Sequence, residues 1–362
     1  MSPRPILIMA GGTGGHVFPA LAVAAELGRA GVPVTWLGTR RGLEARVVPE
    51  AGYPVAWVRV SGLRGKGLAR RLAAPFMLAL ALLQSLWIML RVRPRAVLGM
   101  GGFVTGPGGV AAWLTRRPLL IHEQNAVAGL TNRLLAPLAR CVMAAFPGAL
   151  PARFRPRHTG NPVRAEIAAI APPEERLADR QGPLRLLVVG GSLGAQALNE
   201  ILPRAVALLP AALRPEVRHQ CGERHVEAAR GHYAAAGVDA EVIPFIADMA
   251  EAYAWADLVV CRAGALTVAE LAAAGCASIL VPYPHAVDDH QTANARYLSE
   301  AGAALLMPQT RLTPEALAER LQGFARDRAC LLDMARAARG RARPDAAREV
   351  AELCLQAAGG AA

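Results

Sequence analysis

Short apolar runs recur along the whole chain, each followed by glycine or a polar cluster and then by a helical pattern. In the first half they are Ile6–Ala10, Val34–Leu37, Val55–Val60, Ala96–Gly99, Leu119–His122 and Cys141–Ala145. In the second half they are Leu184–Val189, Val217–Gln220, Ala240–Ile243, Leu258–Cys261, Ser278–Val281 and Ala304–Met307. Unbroken apolarity, rather than alternation, predicts strands buried on both faces. Helical stretches such as Pro19–Arg29 and Gly129–Leu138 lie between them. This rhythm predicts an α/β protein whose parallel sheets are covered on both sides, with ligands beyond the C-terminal ends of the strands.

Two of the strand–helix junctions are glycine loops of the same kind. Gly11-Gly12-Thr13-Gly14-Gly15-His16 follows the first apolar run, and Gly190-Gly191-Ser192-Leu193-Gly194-Ala195 opens the second series. At such a junction free backbone N–H groups and the positive helix end suit a phosphate. The repetition predicts two nucleotide-type domains with a cleft between them, and 362 residues are enough for both. Prolines and glycines crowd Phe146–Val163, which reads as the linker. A last helical run, Asp345–Ala357, follows Pro344 and is expected to pack back on the first half.

Leu72–Leu90 breaks the rhythm. It approaches a membrane span in length and apolarity and is flanked by Arg70, Arg71, Arg91 and Arg93. Three readings are open: a buried helix of the first domain, a helix that dips an apolar edge into an anionic bilayer surface, or a true span. Gln84 and Ser85 interrupt it, and a span would put the next strand on the wrong side of the bilayer.

Composition narrows the partners. The net charge of +12 is almost all arginine, Lys66 being the one lysine. Nucleic acid, an anionic membrane and phosphorylated substrates all fit that sign. Nucleic acid is set aside, because no recognition module and no aromatic interleaving accompany the charge. Six scattered cysteines with no C-x-x-C pair suggest reduced thiols rather than zinc or a disulfide framework. Met1–Pro5 runs directly into a strand, so no secretory leader is expected and the chain should stay in the cytoplasm.

The candidate chemistry lies at strand ends. The second strand closes with Leu37-Gly38-Thr39-Arg40-Arg41, which lacks the acidic residue that a dinucleotide site needs. His16, at the first helix start, is placed to take a proton from a hydroxyl nucleophile. A third glycine turn, Gly99–Gly106, is either a second anion nest or tight strand–helix packing. His122-Glu123-Gln124-Asn125 ends another strand; Asn125 suits a sugar hydroxyl or acetamide, and Glu123 is a base or orients one. In the second half Ser192 stands at a helix mouth, and Arg164 approaches from the linker side to hold a diphosphate. Arg262–Glu270 brings a carboxylate suited to ribose hydroxyls, and Asp288–Asn294 offers amides and carboxylates to a sugar. No D-x-D pair is present, so no metal is expected, and helix N-termini and arginine would stabilise a leaving diphosphate.

Gly11–His16, His122–Asn125, Gly160-Asn161-Pro162-Val163-Arg164, Gly190–Ala195, Arg262–Glu270 and His290–Asn294, in this order, resemble the MurG family of bacterial cell-wall glycosyltransferases. These are undecaprenyldiphospho-muramoylpentapeptide β-N-acetylglucosaminyltransferases, and the resemblance covers essentially the whole chain. It implies a GT-B fold, two Rossmann-like parallel-sheet domains facing each other across a cleft. Residues 1–161 would form the acceptor and membrane-docking domain, with 344–362 packing back on it. Residues 162–343 would bind UDP-N-acetylglucosamine. Carried over motif by motif, Thr13, Gly14, Gly15 and Asn125 meet the donor, and Arg164 and Ser192 hold its diphosphate. Ile246 meets the uracil through its backbone, Ala265, Leu266, Thr267, Val268, Ala269 and Glu270 line the nucleotide with Glu270 on the ribose, and Gln291 binds the sugar. Leu193 stands where glutamine is common in the family. No cofactor is implied.

The resemblance implies inverting transfer of N-acetylglucosamine to the C4 hydroxyl of the muramoyl unit of lipid I, giving lipid II, on the cytoplasmic face of the membrane. One base suffices, because UDP needs no protonation on leaving; His16 is the first candidate and Glu123 the second. Two rivals stay open: a UDP-N-acetylglucosamine 2-epimerase of the same fold, and a membrane-bound nucleotide-binding module without turnover.

Overall fold

A computed structural model describes residues 4–59, 74–178, 180–191 and 194–359. The chain forms two compact units, Met1–Arg164 together with Pro344–Ala362, and Ala165–Arg343.

The first unit is built on strands β1 (Ile6–Met9), β2 (Val34–Gly38), β3 (Val55–Trp57), β4 (Ala96–Gly99), β5 (Leu119–Glu123), β6 (Cys141–Ala144) and β7 (Arg157–His158). They form one parallel sheet in the order β3-β2-β1-β4-β5-β6-β7, with Ile8 opposite both Trp36 and Leu98. The second unit holds β8 (Arg185–Val189), β9 (Glu216–Gln220), β10 (Glu241–Ile243), β11 (Leu258–Cys261), β12 (Ser278–Leu280) and β13 (Ala304–Leu306). Its sheet has the order β10-β9-β8-β11-β12-β13, also parallel throughout. In both sheets the order reverses beside the first strand, so β1 and β8 stand at the switch point where such sheets open a ligand crevice. Both glycine loops follow these two strands.

Each apolar run of the sequence contains a strand, although in Val55–Val60 the strand covers only Val55–Trp57 and Val60 lies outside the described residues. β7 lies inside the stretch that reads as a linker. Two residues are too short for a hydrophobic pattern, and the surrounding prolines are tolerated because β7 is an edge strand. The stretch is therefore largely part of the first unit, and the division falls between Arg164 and Ala165.

Side chains alternate across β1, which splits the first core into two layers. Ile6 and Ile8 pack with Val17, Ala20, Val23, Ala24 and Leu27 of the helix Gly14–Arg29, and with Val350, Leu353 and Cys354 of the last helix, Ala346–Gly359. Leu7 and Met9 face the other way, against Ile88, Met89, Ala111 and Ala112. The helix Gly14–Arg29 buries positions three and four apart, the spacing of a single helical face.

The helix Ala74–Val92 carries two apolar stripes. Ala81, Ser85, Ile88 and Met89 are buried, while Phe76, Leu80, Leu83, Trp87 and Leu90 lie on the outside, Phe76 at 80% exposure. Both sets follow helical spacing on different faces. The helix is long and apolar enough to cross a bilayer, yet one of its faces is packed into the first unit. The fully buried reading does not hold. Leu72 and the flanking Arg70 and Arg71 lie outside the described residues.

Candidate active site

Three loops of the first unit meet at the C-terminal ends of β1, β4 and β5. The first, Gly11–Thr13, ends in Thr13, whose extended backbone caps the helix Gly14–Arg29 while its hydroxyl makes no capping bond. Gly14 and Gly15 are the first helical residues, so their N–H groups belong to the turn without internal partners. Glu44 sits beneath this loop, fully buried. Its carboxylate accepts from Gly12 N–H at 2.9 Å, Thr39 N–H at 3.0 Å and the Thr39 hydroxyl at 2.7 Å. The Gly12 amide is thus committed to the Glu44 side chain and is not free for a phosphate. The sequence pattern did not single out Glu44; its one cue is a carboxylate just after the glycine- and arginine-rich turn that follows β2.

The third glycine turn is pressed against the first loop. Gly102 has φ +86°, and a Cβ there would overlap the Gly11 carbonyl oxygen. Gly101 leaves room for the His16 ring, whose Nδ1 lies 2.6 Å from where a Cβ would stand.

The β5 end carries His122, Glu123 and Gln124, all buried. Glu123 Oε1 accepts from Asn125 N–H at 2.9 Å and Asn125 Nδ2 at 3.3 Å, and Oε2 accepts from Gly129 N–H at 3.0 Å and Asn132 Nδ2 at 2.8 Å. This carboxylate shapes the loop that presents Asn125. Both of its oxygens are thereby taken up by donors of the segment that follows. His16 Nδ1 lies 3.0 Å from Gln124 Oε1. Arg164 belongs to the same unit, its guanidinium 5.6 Å from the Phe18 ring centre.

Burial drives the His122 pKa down to about 4, only partly offset by the Gly160 carbonyl and the Glu123 charge. His219, buried in the second unit with the Tyr233 hydroxyl 2.9 Å from Nδ1, is pushed down to about 3 by the same desolvation. Both bind a proton more readily once unfolded. Their contribution to stability is therefore complete above the unfolded value near 6.5 and is lost as the pH falls toward these depressed values. At pH 5 each histidine is expected to cost about 2 kcal/mol relative to pH 7. Urea titrations at the two pH values check this; an unchanged midpoint would contradict it.

In the second unit Ser192 and Leu193 lie outside the described residues. Gly194 has φ +75°, and a Cβ there would overlap the Cys221 carbonyl oxygen. Gln220, at the end of β9, ties this loop to the next one. Its Oε1 accepts from Gly191 N–H at 3.0 Å, and its Nε2 donates to the Gly191 and Pro244 carbonyls at 3.1 and 3.0 Å. Pro244 leads to exposed Phe245 and buried Ile246. The sequence cue for Gln220 was an amide at a strand's C-terminal tip.

Gly264 opens the helix Ala265–Ala274. Leu266, Thr267 and Ala269 are half-buried, whereas Ala265 and Val268 are buried, and the Val268 N–H is spent on the Gly264 carbonyl at 2.9 Å. Glu270 is buried, and the Tyr253 hydroxyl donates to its Oε2 at 3.2 Å, which fixes the carboxylate. Arg262 is a brace: it donates to the Val281 and Pro282 carbonyls and to Gln309 Oε1 at 2.7 Å, and burial lowers its pKa. Gln291 Oε1 accepts from Tyr283 N–H at 2.9 Å. Just before it Asp288 and Asp289 both have positive φ, +54° and +48°. Two such residues in succession store about 1–3 kcal/mol of strain each, a pattern that clusters at ligand clamps. Among the described residues no group of three or more His, Cys, Asp or Glu side chains is placed to hold a metal.

Comparison with known proteins fits these two halves. The N-terminal domain of glycosyltransferase family 28 matches residues 6–144, and its C-terminal domain matches residues 185–350. The chain belongs to glycosyltransferase family 28. A Marinobacter nauticus member, a UDP-N-acetylglucosamine–N-acetylmuramyl-(pentapeptide) pyrophosphoryl-undecaprenol N-acetylglucosamine transferase, is 59% identical over 99% of this chain and 98% of its own. The crystal structure of Acinetobacter baumannii MurG is 45% identical, with a TM-score of 0.84 over 98% of this chain and all of that one. A UDP-GlcNAc 2-epimerase from Neisseria meningitidis matches over 98% of this chain and all of its own at TM-score 0.68 but 12% identity, a likeness of fold alone. The two units are thus Rossmann-like parallel-sheet domains of the glycosyltransferase type, and the family likeness favours transfer over epimerisation.

Proposed function

We propose that this family 28 member transfers N-acetylglucosamine from UDP-N-acetylglucosamine to the C4 hydroxyl of the muramoyl unit of lipid I, giving lipid II for peptidoglycan synthesis. The observation that carries this reading is identity to a named transferase over nearly the full length of both chains. Site geometry supports it. The second unit takes the nucleotide: the Gly190–Ala195 loop and its helix accept the diphosphate, Ile246 the uracil, Glu270 the ribose and Gln291 the sugar. Arg164 adds positive charge toward the diphosphate. The first unit holds the acceptor hydroxyl. His16 is its base, because its ring stands at the loop mouth, whereas the Glu123 carboxylate is occupied by four donors. The hydroxyl oxygen attacks the anomeric carbon, the bond to the diphosphate oxygen breaks, and the proton passes to His16. Thr13 and Asn125 position the sugar.

Incubation with UDP-N-acetylglucosamine labelled in the sugar tests the reaction. With lipid I, label moves to the lipid fraction. Label that stays in the nucleotide fraction, epimerised or unchanged, would refute the assignment.

The outer stripe of the Ala74–Val92 helix supports docking on an anionic membrane, where the acceptor's lipid resides. Trp87 and Arg91 stack at 5.1 Å, an aromatic–cation pair suited to the headgroup level. Burying one such large side chain is worth about 1.5–3 kcal/mol. The double substitution Leu83→Glu and Trp87→Glu is expected to weaken binding to anionic vesicles at least about 100-fold. UDP affinity in solution should stay unchanged. Undiminished flotation with vesicles would remove this helix from the docking surface.

A further inference from the structure

We infer that Gln124, held by His122, is a positioning residue that fixes the tautomer of His16, leaving its Nε2 as the proton-accepting nitrogen. The inference rests on the reading of His16 as the base and specifies which atom acts.

Two backbone carbonyls pin the chain of hydrogen bonds. His122 Nε2 lies 2.9 Å from the Gly160 carbonyl oxygen. A carbonyl only accepts, so His122 carries its proton on Nε2. The ring is fully buried and desolvation keeps it neutral at working pH, so Nδ1 has no proton and accepts. Gln124 Nε2 is 3.2 Å from that Nδ1 and 3.2 Å from the His122 carbonyl oxygen. Both are acceptors, which forces the NH₂ group of the amide to this side. Gln124 Oε1 is thereby turned to His16 Nδ1, 3.0 Å away. An amide oxygen cannot donate, so His16 holds its proton on Nδ1 and presents a lone pair at Nε2. Gln124 is 1% exposed, so water does not compete for the amide. The same logic, a third group orienting a base, applies to nucleophile–base pairs generally.

An amide serves here better than a carboxylate would. It fixes the ring without a buried charge, and Glu123, the neighbouring acid, is directed away by its own four donors.

Nitrogen-15 spectra of the histidine rings in the full-length protein test the inference. The neutral His16 ring is expected to show a protonated Nδ1 and an unprotonated Nε2. In Gln124→Met the ring should populate the Nε2–H form, kcat should fall about 10- to 100-fold, and KM for the sugar nucleotide should hold. A wild-type His16 protonated on Nε2 would overturn the inference, even if Gln124→Met fails to fold. An Nδ1–H ring that persists in Gln124→Met would overturn it as well. If the wild-type ring is Nδ1–H and shifts in the variant, yet His16→Ala retains turnover, the tautomer assignment stands and His16 ceases to be the base.

Discussion

Replacing His16 with alanine is expected to lower kcat by about 10²–10⁴-fold, the usual contribution of a positioned general base. KM for the sugar nucleotide should barely move, because the nucleotide-binding residues proposed here lie mainly in the second unit. Stability should fall by no more than about 1–3 kcal/mol, the cost of leaving the buried Gln124 Oε1 without its donor, since the His16 ring itself is only half-buried. Steady-state kinetics with both substrates, beside a urea titration, separate these effects. Turnover within a few-fold of wild type would exclude His16 as the proton acceptor.

Glu123→Gln should behave in the opposite manner. The substitution keeps size and shape but turns one carboxylate oxygen into an NH₂ group. Whichever way the new amide faces, donors meet donors: Asn125 N–H on one side, Gly129 N–H and Asn132 Nδ2 on the other. Each buried group left unsatisfied costs about 1–3 kcal/mol. Stability and turnover are therefore expected to fall together, with KM rising as the Asn125 loop loosens. A variant as stable as wild type but without turnover would instead make Glu123 a chemical participant. The pair of substitutions distinguishes a base from the frame that holds it.

Much of this was legible in the chain. The strand runs stand out because parallel strands are apolar on both faces, and the glycine loops mark where the chain turns above the central strands. The long apolar helix Ala74–Val92 was legible in composition but not in orientation. Only the fold shows that Ile88 and Met89 face inward while Leu83 and Trp87 face out. β7 was hidden because a two-residue ladder has no periodicity. The roles of Glu44, Gln124 and Gln220 were hidden for a different reason. Each acts through bonds to residues far away in the chain, such as Gly12 with Glu44 or Gln220 with Pro244, and no local pattern encodes such a partner. The same remoteness conceals that Arg262, at a strand's C-terminal end, is spent on backbone carbonyls and Gln309.

The stereochemistry of the product tests the central claim most directly, that one base and a departing diphosphate accomplish a single displacement at the anomeric carbon. Proton–proton coupling at the anomeric position of the transferred sugar reads it. Starting from the α-linked nucleotide, the new bond to the muramoyl C4 oxygen should be β. An α-linked product would require a second displacement through a covalent intermediate, or a front-side path, and would contradict the mechanism.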